Sequence, residues 1–334
     1  MDRPKVLIVR FSSLGDVVLA TSAAQYLKAQ GDVEVFFATK SAFAPLLRGQ
    51  ACIDEVWKLE DFGLRGLARE ARQRGITAIL DLHGNLRSRA LGWMSRLPVT
   101  RWEAGTLNRR LRVQFPSFKV AELEPVCDRY ARAAAAVLGL EAKRFLPRLT
   151  VEPTSAAWAK QWLQEHGYNG EPLLAVAPGA AWASKRWDVA QLAQALNMLE
   201  GVQVLLVGSA SEEPLCRDVE ALLERPAFVA AGKTADLRHL LALIAASKAF
   251  LGHDSGPMHL AEALGVPSTV LFGPTVEEFG FYPQGPGHHV FQVDLNCRPC
   301  SVHGTERCPL GHHHCMKMIA PADVSAHLAQ VLKA

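Results

Sequence analysis

The 334-residue sequence lacks several features that would narrow its function at once. No apolar stretch approaches the roughly 20 residues a membrane span needs. The opening Met1-Asp2-Arg3-Pro4-Lys5 leads only into the short apolar run 6–9, too brief for the apolar region of a signal peptide, so a cytoplasmic location is expected. Charge of one sign is not in excess: a net charge of +3 is too small to argue for a nucleic-acid partner. No D-x-D pattern, a common carrier of a divalent metal, occurs anywhere. No G-x-G-x-x-G follows the first apolar run, which removes the main support for a nicotinamide-dependent dehydrogenase. Gly232-Lys233-Thr234 is not a P-loop, because Ala227 stands where that motif requires its earlier glycine.

What is present is globular. The usage of 49% apolar and 21% charged residues is ordinary, and the length exceeds what one hydrophobic core organises, so two domains are expected. Short β-branched runs at 6–11, 33–38, 78–82, 173–177, 202–207, 249–252 and 268–272 alternate with helical spacing at 20–29, 64–74, 126–140, 189–199, 213–223 and 237–246. This βα repetition predicts an α/β protein with parallel doubly wound sheets. The rhythm breaks between Pro147 and Pro153, and a helical stretch at 155–166 precedes a fresh strand ending at Pro178-Gly179. The expected division is 1–152, 153–319 and a final helical segment, 320–334.

Three loops follow strands and carry chemistry. Ser13, Gly15 and Asp16 close the first strand and open a helix; Gly15 suits a tight turn, and Asp16 is either a helix cap or a general base for a hydroxyl. A helix N-terminus lowers its pKa. Asp254, Ser255 and Gly256 form a turn before Pro257, whose free N–H groups suit phosphate oxygens, with His259 one helical turn on as either a ligand contact or a satisfied core histidine. Asp254 itself repels phosphate, so its expected task is to hold a lysine or accept from a sugar hydroxyl. A small-residue loop, Pro178 to Trp187, contains Ala181 and ends in Lys185 and Arg186, which are either surface cations or the charge that meets a diphosphate. Glu212 and Glu213 after a later strand stand where a ribose presents its hydroxyls.

Two further features stand apart. Residues 87–119 hold eight basic residues against one acid, Glu103, and read either as a solvated surface or as a landing site for an anionic substrate or membrane. Cys297, Cys300, Cys308 and Cys315, interleaved with His303, His312, His313 and His314, fit a structural zinc loop, a disulfide-capable pair or plain packing. Cys52, Cys127 and Cys216 read as isolated core residues.

Taken together, RFSSLGDVVLATSA, PGAAWASKRW, the block from AGKTADLRHLL to VLFGPT and the cysteine cluster resemble glycosyltransferase family 9 over nearly the whole chain. The resemblance implies a GT-B fold of two facing Rossmann-like domains, an acceptor-binding one and a nucleotide-sugar-binding one, with the last helix packing back toward the first. It implies an inverting heptosyltransferase that uses no catalytic metal and transfers heptose from ADP-heptose to the lipopolysaccharide inner core, either Kdo-lipid A or an attached heptose. On the matching positions, the catalytic pair is Asp16 and Lys185. The donor would be held by Ala181, Lys185, Arg186, Glu212, Glu213, Ala235, Asp254, Ser255, Gly256 and His259, and the anionic acceptor by Ser13, Gly15, His83, Arg87 and Arg89. Peripheral contact with the cytoplasmic face of the inner membrane is an added expectation, and no nucleic acid is expected. The rivals are a nucleotide-sugar epimerase of similar fold, which needs no acceptor, and a sugar-nucleotide-binding protein without turnover.

Overall fold

The structure is a computed structural model that describes residues 3–115 and 123–333; Lys119, the last cation of the basic stretch, lies outside the described residues. Two compact units emerge, one of Met1–Ala104 with Glu124–Thr150, the other of Gly105–Leu123 with Val151–Ala334.

In the first unit, β1 (Lys5–Val9), α1 (Leu14–Leu19), α2 (Thr21–Ala29), β2 (Glu34–Thr39), α3 (Ala44–Leu47), β3 (Glu55–Lys58), α4 (Leu59–Gln73), β4 (Ala78–Asp81), α5 (Leu86–Ser95) and β5 (Val99–Arg101) follow in order. Helix α6 (Thr106–Gln114) comes next and groups with the second unit, and α7 (Val126–Leu138) returns to the first. The sheet order is β3-β2-β1-β4-β5 and every pairing is parallel. Parallel strands covered by helices on both faces read as apolar runs rather than alternation, which is why KVLIV of β1 and EVFFAT of β2 are almost wholly buried.

The second unit contains α8 (Pro153–Glu165), β6 (Leu173–Val176), α9 (Val189–Asn197), β7 (Gln203–Leu206), α10 (Glu213–Glu220), β8 (Phe228–Val229), α11 (Leu237–Ala245), β9 (Ala249–His253), α12 (Gly256–Leu264), β10 (Ser268–Phe272), β11 (His288–Gln292), α13 (His314–Lys317) and α14 (Pro321–Lys333). Its six strands run in the order β11-β10-β9-β6-β7-β8, again all parallel.

Two features define the extent of the second unit. The final helix is an integral part of the second unit: Val324, Leu328 and Leu332 of α14 are buried in one core with Trp187, Leu196, Leu206 and Met316. Its apolar face is therefore satisfied within that unit. The break near residue 150 is not the only crossing either, because residues 105–123 also belong to the second unit, where Arg112 pairs with Glu278 at 2.7 Å and the Arg109 guanidinium lies over the Phe281 ring.

Candidate functional site

Each sheet has one point where the strand order reverses, and loops leaving the carboxyl ends of the two strands there diverge to leave a crevice. In the first unit the reversal lies between β1 and β4; in the second it lies between β6 and β9. Ser13, Asp16 and His83 follow the strands at the first reversal, and Lys185, Asp254 and Ser255 those at the second.

After β1, the chain passes Arg10 and enters α1 with Ser13 at the N-cap and Asp16 three residues into the helix. The Ser13 N–H and hydroxyl both donate to Asp16 Oδ2, at 3.1 and 2.7 Å, closing a capping box. Asp16 Oδ1 lies 2.6 Å from Arg10 Nη2, while Arg10 Nη1 donates to the Leu82 carbonyl just past β4. Asp16 is thus both cap and candidate base. Burial works against its charge, but the Arg10 guanidinium and the Ser13 donors outweigh that and hold Asp16 below the ordinary carboxylate range. Arg10 and Ser13 supply this effect, where the sequence suggested the helix terminus. Gly15 does not form a turn: it is buried inside α1.

At the end of β4, the wholly buried Asp81 accepts from the His83 and Gly84 N–H groups at 3.1 and 2.9 Å and from the Ser88 hydroxyl at 3.0 Å, and pairs with Arg101 at 3.3 Å. This fixes the loop that carries His83, whose ring meets Phe11 edge-on. Burial, helped by Arg10, lowers the His83 pKa. Trp102, stacked edge-on with Tyr130, lies under both Arg10 and Arg129. Arg87 and Arg89 are exposed on α5.

In the second unit, the loop after β6 ends in a single 3₁₀ turn, Ala183–Lys185, and the loop after β9 carries Asp254. The Lys185 ammonium donates to Asp254 Oδ2 at 2.6 Å and to the Asp254 carbonyl at 3.2 Å, and the Thr275 hydroxyl donates to the same Oδ2 at 2.7 Å. Burial opposes the Asp254 charge, yet Lys185 and Thr275 hold its pKa below the ordinary range. Next to it Ser255 caps α12, and its buried hydroxyl has no hydrogen-bond partner. An unsatisfied hydroxyl beside the free N–H groups of a nine-residue helix is an arrangement that an anion completes.

The remaining donor candidates divide. Glu212 caps its own turn through Ser209, at 2.8 Å to the N–H and 2.7 Å to the hydroxyl, and lies hard against the β6 loop: a Cβ on Gly179 would stand 2.0 Å from its carboxylate. Glu213 pairs with Lys233 at 3.3 Å, beside the exposed Ala235. Arg186 donates twice to the Ala180 carbonyl, at 3.0 and 2.8 Å, and so closes its own loop, while Ala181 is exposed. His259 is buried with its Nδ1 3.2 Å from Glu262, which also accepts from the Gln284 N–H. His253, the last residue of β9, accepts from the Trp187 N–H at 2.9 Å, and burial pushes its pKa down to about 4.

None of the seven cysteines forms a disulfide, and Cys315 is buried. Among the described residues no group of three His, Cys, Asp or Glu side chains is placed to hold a metal ion. The segment braces the lysine loop instead. Thr305 exchanges hydrogen bonds with Ser184, the His313 ring lies 2.7 Å from the Ser184 carbonyl, and Arg298 donates to the carbonyls of Gly273 and Thr275. The sequence reading missed Arg10, Trp102, Tyr130 and Thr275. A lone arginine ending an apolar central strand was the available signal for the first.

Several proteins similar to this chain carry heptosyltransferase names. Lipooligosaccharide heptosyltransferase 2 of Campylobacter jejuni is 33% identical over 171 residues, 49% of this chain and 52% of that protein, so the match spans about half the length of that relative. Lipopolysaccharide heptosyltransferase 2 of Salmonella typhimurium is 27% identical over 299 residues, 82% of this chain and 84% of that one. The solved structure of E. coli ADP-heptose lps heptosyltransferase II superposes with a TM-score of 0.77 at 23% identity, covering 98% of both chains, and identifies the fold as GT-B. The model of glycosyltransferase family 9 (heptosyltransferase) matches residues 64–310, and with more than half of the sequence inside that match the chain belongs to this family.

Proposed function

We propose that this protein transfers heptose from ADP-heptose to a sugar hydroxyl of the lipopolysaccharide inner core, with inversion at the anomeric carbon. The observation that carries the reading is the Lys185–Asp254–Thr275 cluster beside the unpartnered Ser255 hydroxyl at the start of α12. Lys185 spends two of its three N–H bonds on Asp254, leaving one for a diphosphate oxygen. The Ser255 hydroxyl and the first N–H groups of α12 would meet the remaining charge as ADP leaves.

On the acceptor side, Asp16 is the base. Arg10 and the two Ser13 donors occupy three of about four lone-pair sites on its carboxylate, so one remains for an incoming hydroxyl. Such a carboxylate is a weak base at rest, but the attacking hydroxyl acidifies as its oxygen bonds to the anomeric carbon. The proton passes to Asp16 as the bond to the phosphate oxygen breaks and the electron pair departs with ADP. The relatives' names, lipooligosaccharide and lipopolysaccharide heptosyltransferase, support this acceptor class.

The test is release of ADP from ADP-heptose by the purified protein, with and without a Kdo-containing lipid A acceptor, and with chelator present. Acceptor-dependent release that survives chelation is expected. Release without acceptor, or none with any core acceptor, overturns the proposal.

A further inference from the structure

A second constellation lies on the first unit, in neither of the loops described above. Helix α4 presents Arg65, Ala68 and Arg72 at i, i+3, i+7 spacing, and α5 packs beside it. Between the two helices is an open cavity of about 830 Å³, lined by Arg65, Arg72, Trp93 and Arg96 among others. Arg74 on α4 pairs with Glu55 and Glu70, and Arg101 pairs with Asp81. None of Arg65, Arg72 and Arg96 forms an ion pair among the described residues; Arg72 donates to the Met94 and Ser95 carbonyls instead. The cavity is therefore a concentration of positive charge without a counter-ion.

Trp93, which lines the cavity, belongs to an apolar face of α5. Trp93 is 82% exposed and Leu86 85%, and the two share one face of α5. Single exposed apolar residues need no explanation. A fully presented tryptophan beside three uncompensated arginines does, because one environment satisfies both: the interfacial layer of a bilayer, where indole rings settle at headgroup depth and guanidinium groups meet lipid phosphates. The charge complementarity selects an anionic surface. It also redraws the basic stretch 87–119, since Arg101 and Arg112 are spent on carboxylates while Arg65 and Arg72, outside that stretch, join Arg96.

We propose that the α4–α5 face docks on a bilayer carrying anionic lipid, seating a phospholipid headgroup among Arg65, Arg72 and Arg96 while Trp93 and Leu86 enter the interfacial layer. This goes beyond heptose transfer and does not rest on it.

Flotation of the full-length protein with vesicles tests it. The protein is expected to float with phosphatidylglycerol-containing vesicles, to release at high salt, and to ignore pure phosphatidylcholine. Arg65→Gln combined with Arg96→Gln should lower partitioning roughly 25-fold, about fivefold per arginine. Trp93→Ser, at a site with no core role, should lower it severalfold with an unchanged melting temperature, and decides the matter even if the double variant folds poorly. Equal binding to both vesicle types, binding only to another protein, or wild-type binding by Trp93→Ser overturns the proposal. ADP release with a lipid-free acceptor fragment should be unaffected by these variants. A wild type that floats yet releases no ADP with that fragment would sink the transfer reading alone.

Discussion

Asp16 sits in a conflict of forces that its substitutions should expose. Asp16→Asn keeps the shape but removes the acceptor for the proton, so kcat should fall by about 10²–10⁴ while ADP-heptose affinity, which the proposed function assigns to the second unit, stays close to wild type. Single-turnover kinetics beside calorimetric titration of the donor would check both halves, and substantial residual turnover would remove Asp16 from the role of base. Arg10→Gln makes a different demand. Burial alone raises the Asp16 pKa, and Arg10 is the foremost agent opposing it. Without Arg10 the carboxylate should protonate at higher pH, so the acid limb of kcat/KM should move upward; an unmoved limb would mean that Ser13 suffices. In the second unit, Gly179→Ala places a Cβ 2.0 Å from the Glu212 carboxylate, which must then swing away. If Glu212 holds the ribose, KM for ADP-heptose should rise about fivefold to tenfold with little change in kcat, the worth of one hydrogen bond.

At the scale of elements, the loop bearing Lys185 depends on a segment more than a hundred residues away. Within the 3₁₀ turn Ala183–Lys185, Ser184 is clasped by Thr305 and His313. His313 stands in a left-handed conformation, with φ of 54°, that asparagine also tolerates. His313→Asn should keep the backbone but fall short of the Ser184 carbonyl, raising KM for donor severalfold while the melting temperature changes little; an unchanged KM would make the brace incidental. Elements also explain what could be read in advance. The seven strands visible as apolar runs are observed, and the four that were not, β3, β5, β8 and β11, are all sheet edges. An edge strand such as EVWK or HHVFQ is only partly buried, so its sequence lacks the uninterrupted apolar run of a central strand. The loops with Asp16, Lys185 and Asp254 were legible because each follows a central strand. Thr275 and Trp102 were not, since their roles arise only from contacts with chain distant in sequence.

At the scale of the whole molecule, stability should depend on pH in two stages set by buried groups. His253 accepts from the Trp187 N–H and is therefore neutral in the fold, with its pKa pushed from 6.5 down to about 4 by burial. The unfolded chain binds a proton below about 6.5 and the folded chain does not, so stability is lost as pH falls from 6.5 toward 4. A difference of that size corresponds to about 3 kcal/mol in all, at about 1.4 kcal/mol per pH unit. Burial lowers His83, His288 and His327 as well, and they add to the loss with the same sign. Asp16 and Asp254 act later: their folded values are depressed, so their contribution is complete above the ordinary carboxylate pKa and disappears only below it. Urea unfolding across this range should show a continuous decline from pH 6.5, not a plateau that breaks near 4. His253→Gln, whose amide oxygen can still accept from Trp187, isolates the histidine's share. The variant should be less sensitive than wild type between pH 6.5 and 4 and should converge on the same acid limb below it. Parallel curves for the two proteins would mean that His253 is protonated inside the fold, and the hydrogen bond from Trp187 would then have to be abandoned.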